Sequence, residues 1–170
     1  MMNKETIDIA IEMLVWCTKD PFSLQYFYTP KKSDSYEYRQ ESLNTCAHII
    51  YYAVKSGLLQ PVEGFEGYYD KNGVLIAPIF ANIEEFVAEI RKFPVEKIIG
   101  DDVMDDMTDK GNMVWFGEQF EATDLLDKIV NNCGIEAYID EFNMNDARWQ
   151  QFYCEISSYL HLEDTSENRI

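Results

Sequence analysis

The stretch FEGYYDKNGVLIAPIF, residues 65–80, decides the fold class predicted for this chain. Asn72-Gly73 at its centre is the favoured two-residue hairpin turn, because both positions of that turn require a positive φ angle. The flanking residues, Tyr68-Tyr69 and Val74-Leu75-Ile76, are of types enriched in strands. The stretch therefore predicts a β-hairpin, set among longer segments whose apolar spacing is helical.

Two helices are predicted before this hairpin. In residues 3–19 apolar side chains recur at helical spacing, Asn3 is placed to cap the start, and Asp20-Pro21 ends the pattern. Residues 41–56 give the second helix, which Gly57 ends.

Further helices and strands alternate after the hairpin. The predicted elements are, in order, a helix at 83–93 capped by Asn82, a strand at 112–117, a helix at 121–132 closed by Cys133-Gly134, a strand at 135–142, and a helix at 147–162 capped by Asn145 or Asp146. Together these elements predict an α+β fold, with several helices packed on a small, mostly antiparallel sheet. Residues 1–162 are expected to form a single domain, and residues 163–170 a polar, frayed tail.

Charge is distributed unevenly along the chain. The net charge is -17; residues 1–60 hold seven acids and six bases, whereas residues 61–170 hold twenty-four acids and eight bases. Such a negative field repels nucleic acid and anionic membranes and attracts basic proteins. We therefore expect a basic protein as the partner, and neither nucleic acid nor a membrane.

The spacing of the cysteines and the composition of the N-terminal segment both favour a location in the cytoplasm. Cys17, Cys46, Cys133 and Cys154 are widely spaced without a CxxC motif, which favours buried free thiols over disulfides or a zinc site. Asp8 interrupts the first apolar stretch, which argues against a signal peptide. A cytoplasmic protein without a cofactor is expected.

The segment GDDVMDDMTDKG, residues 100–111, contains a DDxxDD pattern. It resembles the aspartate-rich motif of prenyl-diphosphate synthases, in which the carboxylates hold magnesium ions and a diphosphate. The second aspartate-rich motif and the basic residues of that family are missing, and the calcium-loop pattern also fails. We therefore interpret these aspartates as part of an acidic face rather than as metal ligands.

One enzymatic alternative centres on the segment NTCAHII. Cys46 lies near the start of a predicted helix, which is similar to the position of the nucleophile in papain-like and amidase-type cysteine hydrolases. Such enzymes need a histidine as base, and His161 is the candidate because His48 points to another side of the helix. No nucleotide-binding or hydrolase motif supports an enzyme, so the chain is interpreted as a non-enzyme.

The acidic face itself is the leading candidate site. Nine acids between residues 101 and 127 stand against only three nearby lysines, more than solubility requires, and a basic partner would relieve the repulsion. Aromatic side chains beside these acids would fill pockets at the centre of the interface. The candidate partner-binding residues are Asp101, Asp102, Asp105, Asp106, Asp109, Trp115, Phe116, Glu118, Glu121 and Asp124.

In size, acidity and lack of catalytic motifs, the chain resembles the immunity proteins of bacterial toxin systems, including contact-dependent growth inhibition. The resemblance implies an inhibitor that covers a toxin domain, such as a nuclease with a basic active site. It implies no role for any individual residue. A second form of the same idea is a nucleic-acid mimic, whose carboxylates occupy phosphate positions on a nucleic-acid-binding protein.

Overall fold

The protein has an α+β fold, as the sequence predicts. The computed structural model describes residues 1–31, 33–62, 68–76, 80–95, 98–99, 102–103, 111 and 113–162. Within these residues, the α-helices of nine residues or more are α1 (Lys4–Trp16), α2 (Tyr36–Lys55), α3 (Ile83–Arg91), α4 (Asp124–Cys133) and α5 (Ala147–Tyr159). None of the described helices is both long and apolar enough to cross a membrane.

The strands are short and antiparallel. They are β1 (Phe22–Ser23), β2 (Leu59–Pro61), β3 (Tyr68–Tyr69), β4 (Leu75–Ile76), β5 (Ile98–Ile99), β6 (Asp102–Val103) and β7 (Gln119–Ala122). β7 is the central strand of a three-stranded sheet in the order β1-β7-β2, and Phe120 lies opposite both Phe22 and Pro61. β3 pairs with β4 and β5 with β6 as two separate two-stranded ribbons.

The predicted hairpin at 65–80 is present as β3 and β4, but its turn is wider than predicted. Tyr69 pairs with Leu75, and the Asp70 N–H donates to the Val74 carbonyl over 2.9 Å, so that three residues form the turn instead of two. The Asp70 carboxylate accepts the N–H groups of Asn72 and Val74, which stabilises this wider loop. Gly73 has the positive φ of 74° that the last position of such a loop requires.

Polar side chains cap the starts of α1, α2, α3 and α5, and a glycine with positive φ follows the ends of α2 and α4. The Asn3 and Asn82 side chains accept the N–H groups of Thr6 and Glu85, which confirms both predicted caps. Gly57 follows α2 with a φ of 78°, as expected for its end. α2 begins five residues earlier than predicted, because Ser35 caps it and its first turn is too exposed to show an apolar period.

Both strands predicted after the hairpin segment are wrong. Met113–Gly117 winds as a π-helix, which places the consecutive residues Val114 and Trp115 in the core together. Residues 135–142 form turns, because the Asp140 carboxylate accepts the Glu136 N–H and competes with strand pairing. The start of the helix predicted at 121–132 is strand β7 up to Ala122, and α4 begins at Asp124.

The core lies between the helices and the three-stranded sheet. α2 packs against both α1 and α3, and α4 packs against α5. Large side chains that are less than 2% exposed fill it, among them Phe27, Phe86, Trp115, Phe120, Trp149 and Phe152. This packing fixes α1 with one side in the core and the other exposed, and that exposed side is the first wall of the candidate site.

Candidate protein-binding groove

The structure describes only part of the acidic face predicted from the sequence. Asp101, Asp105, Asp106 and Asp109 lie outside the described residues, as do the side chains of Asp102 and Phe116. Three other predicted residues are described: Glu118 lies just before β7, Glu121 lies in β7, and Asp124 is the first residue of α4. The Gln60 amide donates to the Glu121 carboxylate over 3.0 Å, and Asp124 is exposed in the first turn of α4.

Trp115 is in the core, which corrects its prediction as a partner-binding residue. Its side chain is 1% exposed and packs edge-to-face against Tyr28 and Phe93, with ring centroids 5.4 and 5.3 Å apart. A ring held in this way is not available to fill a pocket on a partner. Its aromatic neighbours stabilise the fold instead.

The residues of the cysteine hydrolase alternative do not form an exposed nucleophilic centre. Cys46 is fully buried, its Sγ donates to the Phe27 carbonyl over 3.3 Å, and desolvation raises the pKa of its thiol far above the ordinary value. His161 packs against the Tyr52 ring at 4.2 Å between centroids. Burial lowers the pKa of His48, whose Nε2 lies 2.8 Å from the Leu160 carbonyl oxygen. A buried, protonated thiol is typical of a structural cysteine.

An acidic groove lies instead between α1 and residues 138–142. Its volume is about 460 Å³, and it is lined by Glu5, Asp8, Ile9, Glu12, Trp16, Tyr138, Asp140, Glu141 and Phe142. Five of these nine side chains are carboxylates and three are aromatic. We refer to these nine residues as the acidic groove.

The wall formed by α1 follows from the helical repeat. Glu5, Asp8 and Glu12 are spaced by three and four residues, so they share one side of α1 with Trp16 one turn further on. The opposite side buries apolar residues, which include Ile7, Ala10, Ile11 and Leu14. The core therefore orients α1 with its carboxylates toward solvent.

The second wall is a loop held by side-chain hydrogen bonds. Tyr138 has a φ of 68°, an uncommon conformation for a side chain of this size, and its hydroxyl donates to Asp20 over 2.7 Å. The Phe142 N–H donates to Glu12 Oε1 over 3.3 Å and connects the two walls directly. Strained backbone of this kind is often found at functional sites.

Aromatic rings continue along the same surface. The centroid of Trp16 lies 5.1 Å from that of Tyr138 and 6.1 Å from that of Phe22. Tyr138 is 51% exposed and Ile139 is 68% exposed, so the rim of the acidic groove is partly apolar. Exposed aromatic and aliphatic side chains beside charges are typical of protein interfaces.

Two of the five carboxylates in the acidic groove are paired with bases. Lys4 Nζ lies 2.6 Å from Asp8, and Arg148 holds Asp140 through both Nη atoms. The backbone N–H of Glu136 and the Arg148 guanidinium lower the pKa of Asp140. Glu5 accepts the Tyr38 hydroxyl and Glu12 the Phe142 N–H, but neither these two carboxylates nor Glu141 has a cationic partner within the described part of the chain.

The α1 wall of the acidic groove was not predicted from the sequence, because the six bases of residues 1–60 nearly balance their seven acids and leave no net charge that stands out. The repeat of Glu5, Asp8 and Glu12 was a usable signal for one wall. No grouping of His, Cys, Asp and Glu among the described residues is suited to hold a metal ion.

Comparison with known proteins gives no match. No protein-family model fits the chain, and no curated protein or solved structure is significantly similar to it.

Proposed function

We propose that this chain is an acidic protein-binding module that binds a basic protein partner through the acidic groove, and that it is not an enzyme. The observation that carries the proposal is the presence in the groove of three carboxylates, Glu5, Glu12 and Glu141, that have no cationic partner among the described residues and share the groove with the exposed ring of Tyr138. Like charges held together destabilise a fold, and a basic partner would relieve that repulsion.

The partner class we propose is a bacterial toxin domain with a basic surface, such as a nuclease, which would make this chain an immunity protein. The small size and the net charge of -17 support this proposal. Carboxylates opposite Lys and Arg also increase the association rate, and fast capture is what inhibition of a toxin requires. The carboxylates of residues 101–127 would extend the same negative field.

The experiment uses the proteins encoded by the open reading frames that flank the gene for this chain. Each is titrated with the full chain by calorimetry at 50 mM and at 500 mM NaCl, and its toxicity is measured with and without co-expression of the chain. We expect a basic product whose toxicity is suppressed and whose affinity falls by about tenfold or more at the higher salt, because screening weakens charge pairing. If neither flanking product binds, the immunity proposal is wrong.

A matched variant tests whether the acidic groove is responsible. Glu12→Gln combined with Glu141→Gln removes two groove carboxylates, whereas Glu37→Gln combined with Glu155→Gln removes two exposed carboxylates that do not line it. Both double variants change the net charge equally. Equal loss of affinity in the two would show that net charge alone attracts the partner and would reject the acidic groove as the binding site.

A further inference from the structure

We infer that the acidic groove recognises an arginine side chain on a loop or an extended segment of the partner. This inference rests on the proposed function and adds the chemical identity of the group that enters the groove. It depends on the combination of aromatic walls, incompletely used carboxylates and an apolar rim.

The aromatic walls favour a planar cation. Trp16, Tyr138 and Phe142 all line the acidic groove, and the Trp16 and Tyr138 rings pack against each other with their centroids 5.1 Å apart. A guanidinium group is planar and weakly hydrated, so it stacks on aromatic rings at a smaller desolvation cost than the compact ammonium group of lysine. The walls therefore distinguish arginine from lysine, which a cluster of carboxylates alone does not do.

Two carboxylates that line the groove together with these rings have acceptor capacity that no group among the described residues uses. Glu12 uses Oε1 for the Phe142 N–H at 3.3 Å, and Oε2 has no hydrogen-bond partner in the described residues. Glu141 is exposed and makes no hydrogen bond or ion pair in that same part of the chain. The five N–H donors of a guanidinium can satisfy oxygens from both side chains at once, whereas an ammonium offers three donors from a single atom.

The edge of the groove already binds an arginine of the chain itself. Arg148 donates through Nη1 to Asp140 Oδ2 at 3.1 Å and through Nη2 to Asp140 Oδ1 at 3.0 Å. This two-pronged contact shows that a carboxylate of the groove can be approached in the geometry that guanidinium prefers. A second guanidinium would occupy the part of the groove near Glu12 and Glu141.

The rim indicates that the arginine belongs to a protein. Tyr138, Ile139 and Met144 are 51%, 68% and 37% exposed and lie next to or within the loop that forms the second wall. Apolar side chains of a partner would cover them, whereas a free cation in the groove would leave them exposed to water. The segment around the arginine is therefore expected to carry apolar residues.

The test uses three labelled twelve-residue Gly/Ser peptides that carry three arginines, three lysines or three citrullines at the same positions. Binding to the full chain is measured by fluorescence anisotropy at 50 mM NaCl. We expect the arginine peptide to bind about fivefold or more tightly than the lysine peptide, and the neutral citrulline peptide not to bind. The double variant Glu12→Gln with Glu141→Gln is expected to bind the arginine peptide about tenfold more weakly than wild type, because a hydrogen bond between charged groups is lost.

Each contrary outcome has a distinct meaning. Equal affinity for arginine and lysine peptides, no binding of the arginine peptide, or an equal loss in the Glu37→Gln with Glu155→Gln control would each overturn the inference. Displacement of the arginine peptide by spermidine at equal concentration would overturn it in favour of a small polyamine ligand. If the peptide assay contradicts the inference but a flanking-gene product still binds the chain, only the inference about arginine is wrong. If neither the arginine peptide nor a flanking-gene product binds, the proposed function is wrong as well.

Discussion

Arg148 and Asp140 form a two-pronged ion pair, in which Nη1 and Nη2 each donate to a different carboxylate oxygen at 3.1 and 3.0 Å. The same guanidinium also contacts Asp146 at 2.8 Å and donates to the Gly134 carbonyl at 3.1 Å. These contacts connect the end of α4, the loop of the acidic groove and the start of α5. Arg148 thereby holds one wall of the groove in place.

Replacing Arg148 by Met is expected to destabilise the fold in a pH-dependent way. Hydrogen bonds from the Glu136 N–H and from Arg148 lower the pKa of Asp140, and Arg148 lowers that of Asp146, both from 3.8. A carboxyl whose pKa is lower in the folded state stabilises the fold above its unfolded pKa, and that contribution is lost as the pH falls. In urea denaturation, the free energy of unfolding of Arg148→Met should therefore lie below that of wild type. This difference should be largest near pH 6 and should shrink as the pH falls below 3.8.

The control for this prediction is Lys128→Met, which removes an exposed positive charge from α4. It should change stability less than Arg148→Met at pH 6. A difference between wild type and Arg148→Met that stays constant down to pH 2 would show that the ion pairs are not the cause.

Asn3→Ala is expected to lower the free energy of unfolding by about 1–2 kcal/mol, because the buried cap of α1 loses its acceptor. The Asn3 side chain accepts from both the Thr6 N–H and the Thr6 hydroxyl. Asn82→Ala removes the exposed cap of α3 and should cost less, about 0.5–1 kcal/mol. Chemical denaturation of both variants measures the two losses, and a larger loss for Asn82→Ala would contradict the assigned roles.

Trp115→Ala is expected to lower the free energy of unfolding by about 3–5 kcal/mol, the usual cost of truncating a buried aromatic side chain. Trp115→Phe keeps a ring beside Tyr28 and Phe93 and should cost less. Binding of the arginine peptide to Trp115→Phe should equal that of wild type, because Trp115 does not line the acidic groove. Selective loss of binding in a stably folded Trp115→Phe would restore this residue to the interface.

Thiol labelling should find one reactive cysteine in the native protein. Cys154 is exposed, whereas Cys17, Cys46 and Cys133 are buried. Burial also raises the pKa of Cys17 to about 12, and that of Cys46 still further. With Ellman's reagent, one thiol should react fast and three only after unfolding, and Cys154→Ser should remove the fast phase. A fast phase that instead disappears in Cys46→Ser would revive the cysteine hydrolase alternative.

Elements with local signals could be predicted from the sequence. Asn3 and Asn82 cap helices where their spacing indicates, and Gly57 and Gly134 end helices with positive φ angles. Elements that depend on tertiary contacts could not. Alternating residue types predicted a strand at 135–142, but a hydrogen bond from the Glu136 N–H to the Asp140 side chain produces turns there.

Of the two walls of the acidic groove, only the one formed by α1 could be predicted from the sequence. The spacing of Glu5, Asp8 and Glu12 places them on one side of a helix, which the sequence alone reveals. The second wall contacts the first through Phe142 and Glu12, residues 130 positions apart, and no local pattern predicts that contact. The sequence also assigned Trp115 to an interface because it lies among acids, whereas its burial depends on Tyr28 and Phe93.

The position of β7 has a consequence for how the chain folds as it is synthesised. β1 and β2 emerge from the ribosome first, but among the described strands each pairs only with β7, whose residues 119–122 come about 60 positions after β2. A nascent chain that ends before Gln119 therefore has two strand segments with no partner in the sheet. Ribosome-bound intermediates of that length are expected to resist proteases poorly, and protection should rise sharply once β7 has left the exit tunnel.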